Sequence, residues 1–167
     1  MELESCGQCG FDGAGYTDAE LLSALRALGP EWRVLLGRAG DRLRRRPAPE
    51  VWSAIEYAAH SRDITALHAF GIEQALTLDE PLYPEFEEGF ADQVAAAYAG
   101  EDPGAVVDTL DVQACTLAAL AEDAGVAAWS RGLTIGEHRA DVRRLLEHAL
   151  HDSTHHLRDV EQGLVQS

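Results

Sequence analysis

The stretch VRRLLEHALHDSTHHLRDV, residues 142–160, carries the clearest helical pattern in the chain. In a helix each residue turns the side-chain direction by about 100°, so residues three and four positions apart share a face. The apolar side would be formed by Val142, Leu145, Leu146, Ala149, Leu157 and Val160, and the polar side by Arg143, Arg144, Glu147, Arg158, Glu161 and Gln162. The stretch therefore predicts an amphipathic helix that packs against other helices.

The rest of the chain has the same helical character, punctuated by proline and glycine. Pro30 is expected to interrupt a first helical run that Asp18 caps. The capping-box pattern TIGE at 134–137 is expected to begin the last helix. Helices are expected at about 31–46 and 49–76, up to about 99, up to about 125, and from 134 to about 164. Because no strand pattern is visible, the sequence predicts an all-α fold, an antiparallel four-helix bundle with short additional helices.

Length and composition indicate one bundle preceded by a short segment. The chain has 167 residues, of which 46% are hydrophobic, enough for one domain with a full core. Residues 1–16 are rich in glycine and contain CGQCG at 6–10, which predicts a Cys-containing N-terminal segment. Residues 17–167 are predicted to form a single helical-bundle domain.

The charge balance argues against a nucleic-acid partner. The chain has 29 acidic and 13 basic residues, a formal net charge of -16, so most of its surface would repel a phosphate backbone. The one basic run contains Arg42, Arg44, Arg45 and Arg46. It is interpreted as a positive helix C-terminus, which the helix dipole favours.

No membrane or export signal is expected in this sequence. No apolar stretch approaches the roughly 20 residues that span a bilayer, and the N-terminus has no basic start followed by an apolar segment. Cys6, Cys9 and Cys115 are too few and odd in number for a disulfide framework. These features predict a cytoplasmic protein without a membrane partner, and Cys115 is expected in the core.

Helical phase selects the candidate metal ligands. In EYAAHSRD, residues 56–63, His60 is expected on the buried side, which is marked by Trp52, Ile64, Leu67 and Phe70. In the last helix, Asp152 and His156 are four residues apart on the flank of the apolar side, whereas His151 and His155 fall on or near the polar side. His60, Asp152 and His156 are therefore the predicted ligands of a divalent metal inside the bundle, at a site with open coordination positions.

Two acidic residues flank His60 on its own helix. Glu56 and Asp63 each lie about one turn from it, close enough in phase to orient the imidazole or to supply a carboxylate. A structural alternative is a core histidine hydrogen-bonded to Asp63, with His156 at the boundary of the core.

The segments EYAAHSRD, HDSTHHLRDV and CGQCGFDG together resemble the DinB/YfiT-like metalloenzyme superfamily, especially its small actinobacterial members. The resemblance implies a four-helix bundle with one His ligand on the second helix and two on the last. His60 matches the first ligand, and His156 matches the second histidine of the terminal pair. Asp152 stands where the family has another His, so a two-His, one-Asp site, a changed metal preference and a lost metal are all open. A register slipped by one residue would make His151 and His155 the ligands instead.

The resemblance also implies an activity. Its characterised members are thiol-dependent transferases and isomerases that use mycothiol, bacillithiol or glutathione, with the metal activating the cofactor thiol. This predicts an S-transferase or isomerase that acts on a small molecule. For the ligands of this chain, the expected metal is zinc, nickel or iron. Because such bundles often pair, a homodimer is also expected.

The CxxC pair leads to a non-catalytic alternative. Cys6 and Cys9 form half of a zinc knuckle, and two further ligands would complete a tetrahedral site. If the N-terminal segment folds over the bundle, Cys6, Cys9, His60 and His156 would form a closed structural zinc site in a binding or interaction module. A redox pair, two free thiols in a flexible tail, and a metal-free scaffold are the remaining interpretations.

Overall fold

The structure, a computed structural model, describes residues 4–83 and 89–166. Its α-helices are α1 (Asp18–Ala39), α2 (Ala54–Thr77), α3 (Phe90–Tyr98), α4 (Pro103–Ala124) and α5 (Val142–Gln166). Its strands are β1 (Leu82–Tyr83), β2 (Gly132–Ile135) and β3 (His138–Asp141), and 3-10 turns lie at Gly13–Gly15, Gly40–Arg42 and Val126–Ala128. The predicted four-helix bundle is confirmed, with α3 as a short additional helix.

The four long helices enclose one hydrophobic core. Helix α1 packs against α4 and α5, and α2 packs against the same two helices, so α1 and α2 lie diagonally across the bundle. The largest fully buried apolar side chains include Trp32, Leu25, Ile55, Leu110 and Leu146, which come from all four helices. This arrangement places α2 directly beside α5, the two helices that carry the predicted metal ligands.

The interruption predicted at Pro30 is wrong, because α1 continues through it to Ala39. Pro30 is exposed, while Leu28 and Trp32 beside it are completely buried. A proline removes one helical hydrogen bond, but burial of the apolar residues on both sides outweighs that loss.

The absence of strands was also a wrong prediction. The TIGE sequence does not cap a helix: it crosses a hairpin in which β2 pairs antiparallel with β3, and β1 joins β2 in parallel. Gly136 has a φ of +57°, a turn conformation that glycine adopts without strain. The last helix starts after the hairpin, where the Asp141 carboxylate accepts a hydrogen bond of 2.8 Å from the backbone N–H of Arg144.

Within the described residues, α4 is long and apolar enough to cross a membrane, with a mean hydropathy of 1.3 over its most apolar window. The sequence-based expectation of no such stretch therefore does not hold for α4. However, Val106, Leu110 and Leu117 are buried in the core of the bundle. Burial in the core accounts for part of the apolar composition of this helix, since 39% of that window is buried.

The basic run lies after α1 and donates hydrogen bonds to backbone carbonyls near the C-terminal ends of α5 and α3. Arg42 donates to the carbonyl of Leu164, and Arg44 donates to the carbonyls of Ala99 and Glu101. Arginines near a helix C-terminus satisfy carbonyls that have no partner within the helix. These contacts give the run a structural role in the bundle.

Two glycines of α1 test how closely the bundle is packed. A Cβ on Gly29 would lie 2.4 Å from the Asp111 Cβ on α4, whereas a Cβ on Gly37 would meet no atom of the described residues within 4 Å outside its own stretch of helix. We expect Gly29→Ala to lower the free energy of unfolding by about 1–3 kcal/mol through overpacking. Gly37→Ala should raise it by about 0.5–1 kcal/mol, since alanine is the better helix former. Urea denaturation of both variants measures the difference, and equal effects would contradict the close approach of α1 to α4.

Candidate metal centre

Helices α2 and α5 bring the three predicted ligands together. The ligand atoms of His60, Asp152 and His156 all lie within 4.8 Å of one another. The Asp152 Oδ1 is 3.5 Å from the His60 Nε2 and 3.6 Å from the His156 Nε2. These side chains are 12–19% exposed, so the cluster lies at the edge of the core, within reach of solvent.

The donor set fits a divalent cation. Nitrogen and oxygen ligands of one tetrahedral zinc lie roughly 3.4 Å apart, close to the separations found here, which are long for hydrogen bonds. The Asp152 Oδ2 is buried and has no hydrogen-bond partner within the described residues. A buried carboxylate oxygen without a donor is costly, and a metal ion would satisfy it.

The same contacts shift the protonation of the cluster. Burial would by itself raise the pKa of Asp152, but the facing imidazoles of His156 and His60 hold it well below its usual range. Burial would likewise lower the pKa of His156, but the carboxylates of Asp152 and Asp159 raise it to about 9. Both shifts favour a charged Asp152 and a protonated His156, and a cation bound at the cluster would compete with that proton.

Neighbouring residues fix the orientation of the two imidazoles. The His156 Nδ1 lies 3.1 Å from the Asp159 Oδ2, which leaves the Nε2 turned toward Asp152. Tyr57 packs on the His156 ring with centroids 4.8 Å apart, and Trp52 meets the His60 ring edge-on at 5.2 Å. A carboxylate on the far nitrogen of a metal-binding histidine is a common device for holding it in place. Asp159 is a site residue that the sequence prediction missed, although its i, i+3 spacing from His156 indicated it.

The roles expected for Glu56 and Asp63 are wrong. The Glu56 carboxylate accepts hydrogen bonds from Ser53 as the capping box of α2 and forms an ion pair with Arg46 at 2.6 Å. Asp63 binds Arg62 and accepts a 2.7 Å hydrogen bond from the Tyr98 hydroxyl. Both carboxylates are thereby engaged elsewhere, and Asp152 is the acid that faces His60.

A second cluster forms around the CxxC pair. The ligand atoms of Cys6, Cys9, His151 and His155 lie within 4.8 Å of one another. The closed zinc site expected with His60 and His156 is therefore not the one assembled. The slipped-register alternative of His151 and His155 with His60 is not assembled either, since these two histidines face the cysteines on another side of α5. Cys115, expected in the core, is exposed on α4.

The N-terminal segment covers the first half of the polar side of α5, while Arg158, Glu161 and Gln162 in its second half are exposed. Glu147, assigned to that side, is completely buried, and its carboxylate accepts a 2.9 Å hydrogen bond from the Glu4 backbone N–H. Arg143 donates to the carbonyls of Gly13 and Tyr16, which ties the segment to α5. A Cβ on Gly13 would lie 2.6 Å from the Glu147 Cδ, so the N-terminal segment and α5 are in direct contact. Residues 4–16 thus cover this face as a docked layer.

A third group consists of Glu4, His148 and His151. Its acid is already paired, because the Glu4 carboxylate lies 2.5 Å from the Arg144 guanidinium and 2.7 Å from the His151 Nδ1. His148 is half exposed. A cation there would compete with an arginine already in place, so this group is interpreted as an ion-pair network.

Comparisons with known proteins bear on the fold. No family model matches the sequence, and no curated protein sequence matches it. Among solved structures, that of YfiT from Bacillus subtilis superposes with a TM-score of 0.78 at 13% sequence identity, over 87% of this chain and 85% of that one. YfiT is described as a probable metal-dependent hydrolase with an unusual four-helix bundle topology. The chain therefore has the fold of YfiT, as the resemblance in its histidine segments predicted.

Proposed function

We propose that this protein is a metal-dependent enzyme that acts on a small molecule, with His60, Asp152 and His156 holding one divalent cation. The observation that carries the proposal is the convergence of three ligand atoms from α2 and α5 around a buried, unpartnered oxygen of Asp152. The description of YfiT as a metal-dependent hydrolase supports the same class of function.

The ligand set suits zinc, nickel or ferrous iron, since imidazole and carboxylate are shared preferences of these ions. Three protein ligands leave coordination positions for a substrate or a nucleophile. A cation bound there would act as a Lewis acid and lower the pKa of a coordinated water or thiol. The chain itself holds the ligands in position: Asp159 orients His156, and Trp52 and Tyr57 pack against the two rings.

For the reaction, we propose transfer of a small thiol, of the mycothiol or bacillithiol kind, to an electrophilic small molecule. This proposal rests on the resemblance of the histidine segments to thiol-dependent enzymes. Hydrolysis is the second candidate, and the description of YfiT favours it. The non-catalytic alternative loses its main support, because Cys6 and Cys9 do not close the site at His60 and His156. The homodimer and the cytoplasmic location stay predictions from the sequence.

Removing His156 tests the metal site. We expect His156→Ala, purified without a histidine tag, to contain one divalent metal per chain fewer than the wild type by mass spectrometry, because one of three ligands is lost. His138→Ala, on the exposed part of β3, is the matched control and should keep the wild-type content. Equal metal content in all three proteins would contradict the site.

Asp152 has two informative replacements. Asp152→Asn keeps the shape but removes the charge, and we expect its metal affinity to fall by more than about 10-fold, since even residues behind metal ligands contribute 10- to 100-fold. Asp152→His supplies a third imidazole and should retain the metal. Chelator competition at fixed pH measures both affinities. Wild-type affinity in Asp152→Asn would show that the carboxylate is not a ligand.

The identity of the nucleophile can be measured directly. Metal-loaded protein is assayed against a panel of electrophiles with and without a low-molecular-weight thiol, and against esters and amides without it. We expect thiol consumption that requires both the metal and His156, because a cation held there would lower the pKa of a thiol bound at its open position. Metal-dependent ester or amide cleavage without thiol would favour the hydrolase instead. Thiol consumption unchanged in His156→Ala would contradict the assignment.

A further inference from the structure

We propose that Cys6, Cys9, His151 and His155 bind a structural zinc ion, separate from the His60 site, that fastens the N-terminal segment to α5. The four ligand atoms come from two parts of the chain about 140 residues apart and lie within 4.8 Å of one another. Two thiolates and two imidazoles are a donor set that zinc prefers, and four protein ligands close its tetrahedral shell.

The measured spacing agrees with a tetrahedral ion. The Cys6 Sγ lies 3.8 Å from the His155 Nδ1. Zinc–sulfur bonds of about 2.3 Å and zinc–nitrogen bonds of about 2.05 Å at the tetrahedral angle would separate these atoms by roughly 3.6 Å. This pair of ligand atoms is therefore already spaced for the ion, and all four lie within 4.8 Å of one another.

The cysteine side of the site is a tight backbone turn. The Cys6 N–H donates to the Phe11 carbonyl at 2.9 Å, and the Gly10 N–H donates to the Cys6 carbonyl at 2.9 Å. Gly10 has a φ of +76°, which lets the chain reverse just after Cys9. Backbone N–H groups of Cys9 and Gln8 also point at the Cys6 thiol. The turn thus presents both sulfurs from one loop.

The two histidines are oriented by acidic residues that lie next to the ring nitrogens facing away from the cysteines. The Glu4 Oε1 lies 2.7 Å from the His151 Nδ1, and Phe11 stacks on the same ring at 5.0 Å. This leaves the His151 Nε2 for a ligand, and that atom is buried with no hydrogen-bond partner within the described residues. The His155 Nε2 lies 3.6 Å from the Asp159 carboxylate, so its Nδ1 is the nitrogen that faces Cys6. Acidic groups behind both imidazoles are the usual support of zinc-binding histidines.

The alternatives for the CxxC pair explain less of this geometry. A redox pair or two free thiols would offer the buried His151 Nε2 only the neighbouring Cys6 thiol as a partner, and would not require four ligand atoms to converge. A second open catalytic site would need a vacant coordination position, and four protein ligands provide none. A structural ion accounts for the turn, for the unpartnered nitrogen and for the two acids behind the imidazoles.

Cobalt substitution and thiol protection test the proposal on the unmodified protein. Cobalt added to the metal-free wild type should give the thiolate-to-metal charge-transfer absorption of a tetrahedral sulfur site. With zinc bound, Cys115 should react at once with a thiol reagent, whereas Cys6 and Cys9 should react only after a chelator removes the ion. Immediate reaction of all three thiols in zinc-equilibrated protein, or no charge-transfer band, would overturn the proposal.

Variants separate this ion from the one at His60. Cys9→Ser and His155→Ala should each lose one zinc per chain and weaken the thiolate absorption, while the matched control Cys115→Ser should change neither. His156→Ala should keep the thiolate absorption, even if the proposed enzyme site proves wrong. If Cys9→Ser retained the wild-type zinc content and spectrum, the assignment of the cysteines as ligands would fail.

Discussion

The buried apolar face of α5 sets the rotation of this helix in the bundle, and both candidate metal sites depend on that rotation. The Trp32 indole N–H on α1 donates to the Ser153 hydroxyl on α5 at 2.8 Å, and both side chains are completely buried. Loss of the acceptor would leave a buried donor unsatisfied, at a cost of about 1–3 kcal/mol. The bond ties α5 to α1 in the same rotation that the apolar face requires.

Each residue of α5 is rotated by about 100° around the helix axis, so the directions of its other side chains follow from that of Ser153. Asp152 and His156 lie roughly 60–100° to one side, toward α2 and His60. His151 and His155 lie roughly 160° from Ser153, on the face that the N-terminal segment covers. One helix thereby carries two i, i+4 ligand pairs on different faces, and each pair needs a different partner segment to complete its set.

Local periodicity predicted one of these sets and could not predict the other. The phases of α2 and α5 are properties of each helix alone, so the cluster at His60 could be assigned to one interior from the sequence. The docking of residues 4–16 on α5 depends on contacts between distant segments, and no local pattern encodes that pairing.

The same limit explains why the start of the last helix was predicted too early, at residue 134. SxxE at 53–56 and TIGE at 134–137 carry the same capping-box pattern, yet the second crosses a hairpin because β2 pairs with β1, about 50 residues earlier. Recognising the first pattern would have shown that Glu56 caps its own helix.

Asp159 links the two clusters physically. Its carboxylate lies 3.1 Å from the His156 Nδ1 and 3.6 Å from the His155 Nε2, because the helix places it between these two residues in phase. Asp159 therefore contacts His156, a proposed ligand at the His60 site, and also lies next to His155, a proposed ligand of the structural zinc. If the proposed zinc ion holds His155, the N-terminal segment would also limit the positions open to Asp159, and through Asp159 those of the His156 ring.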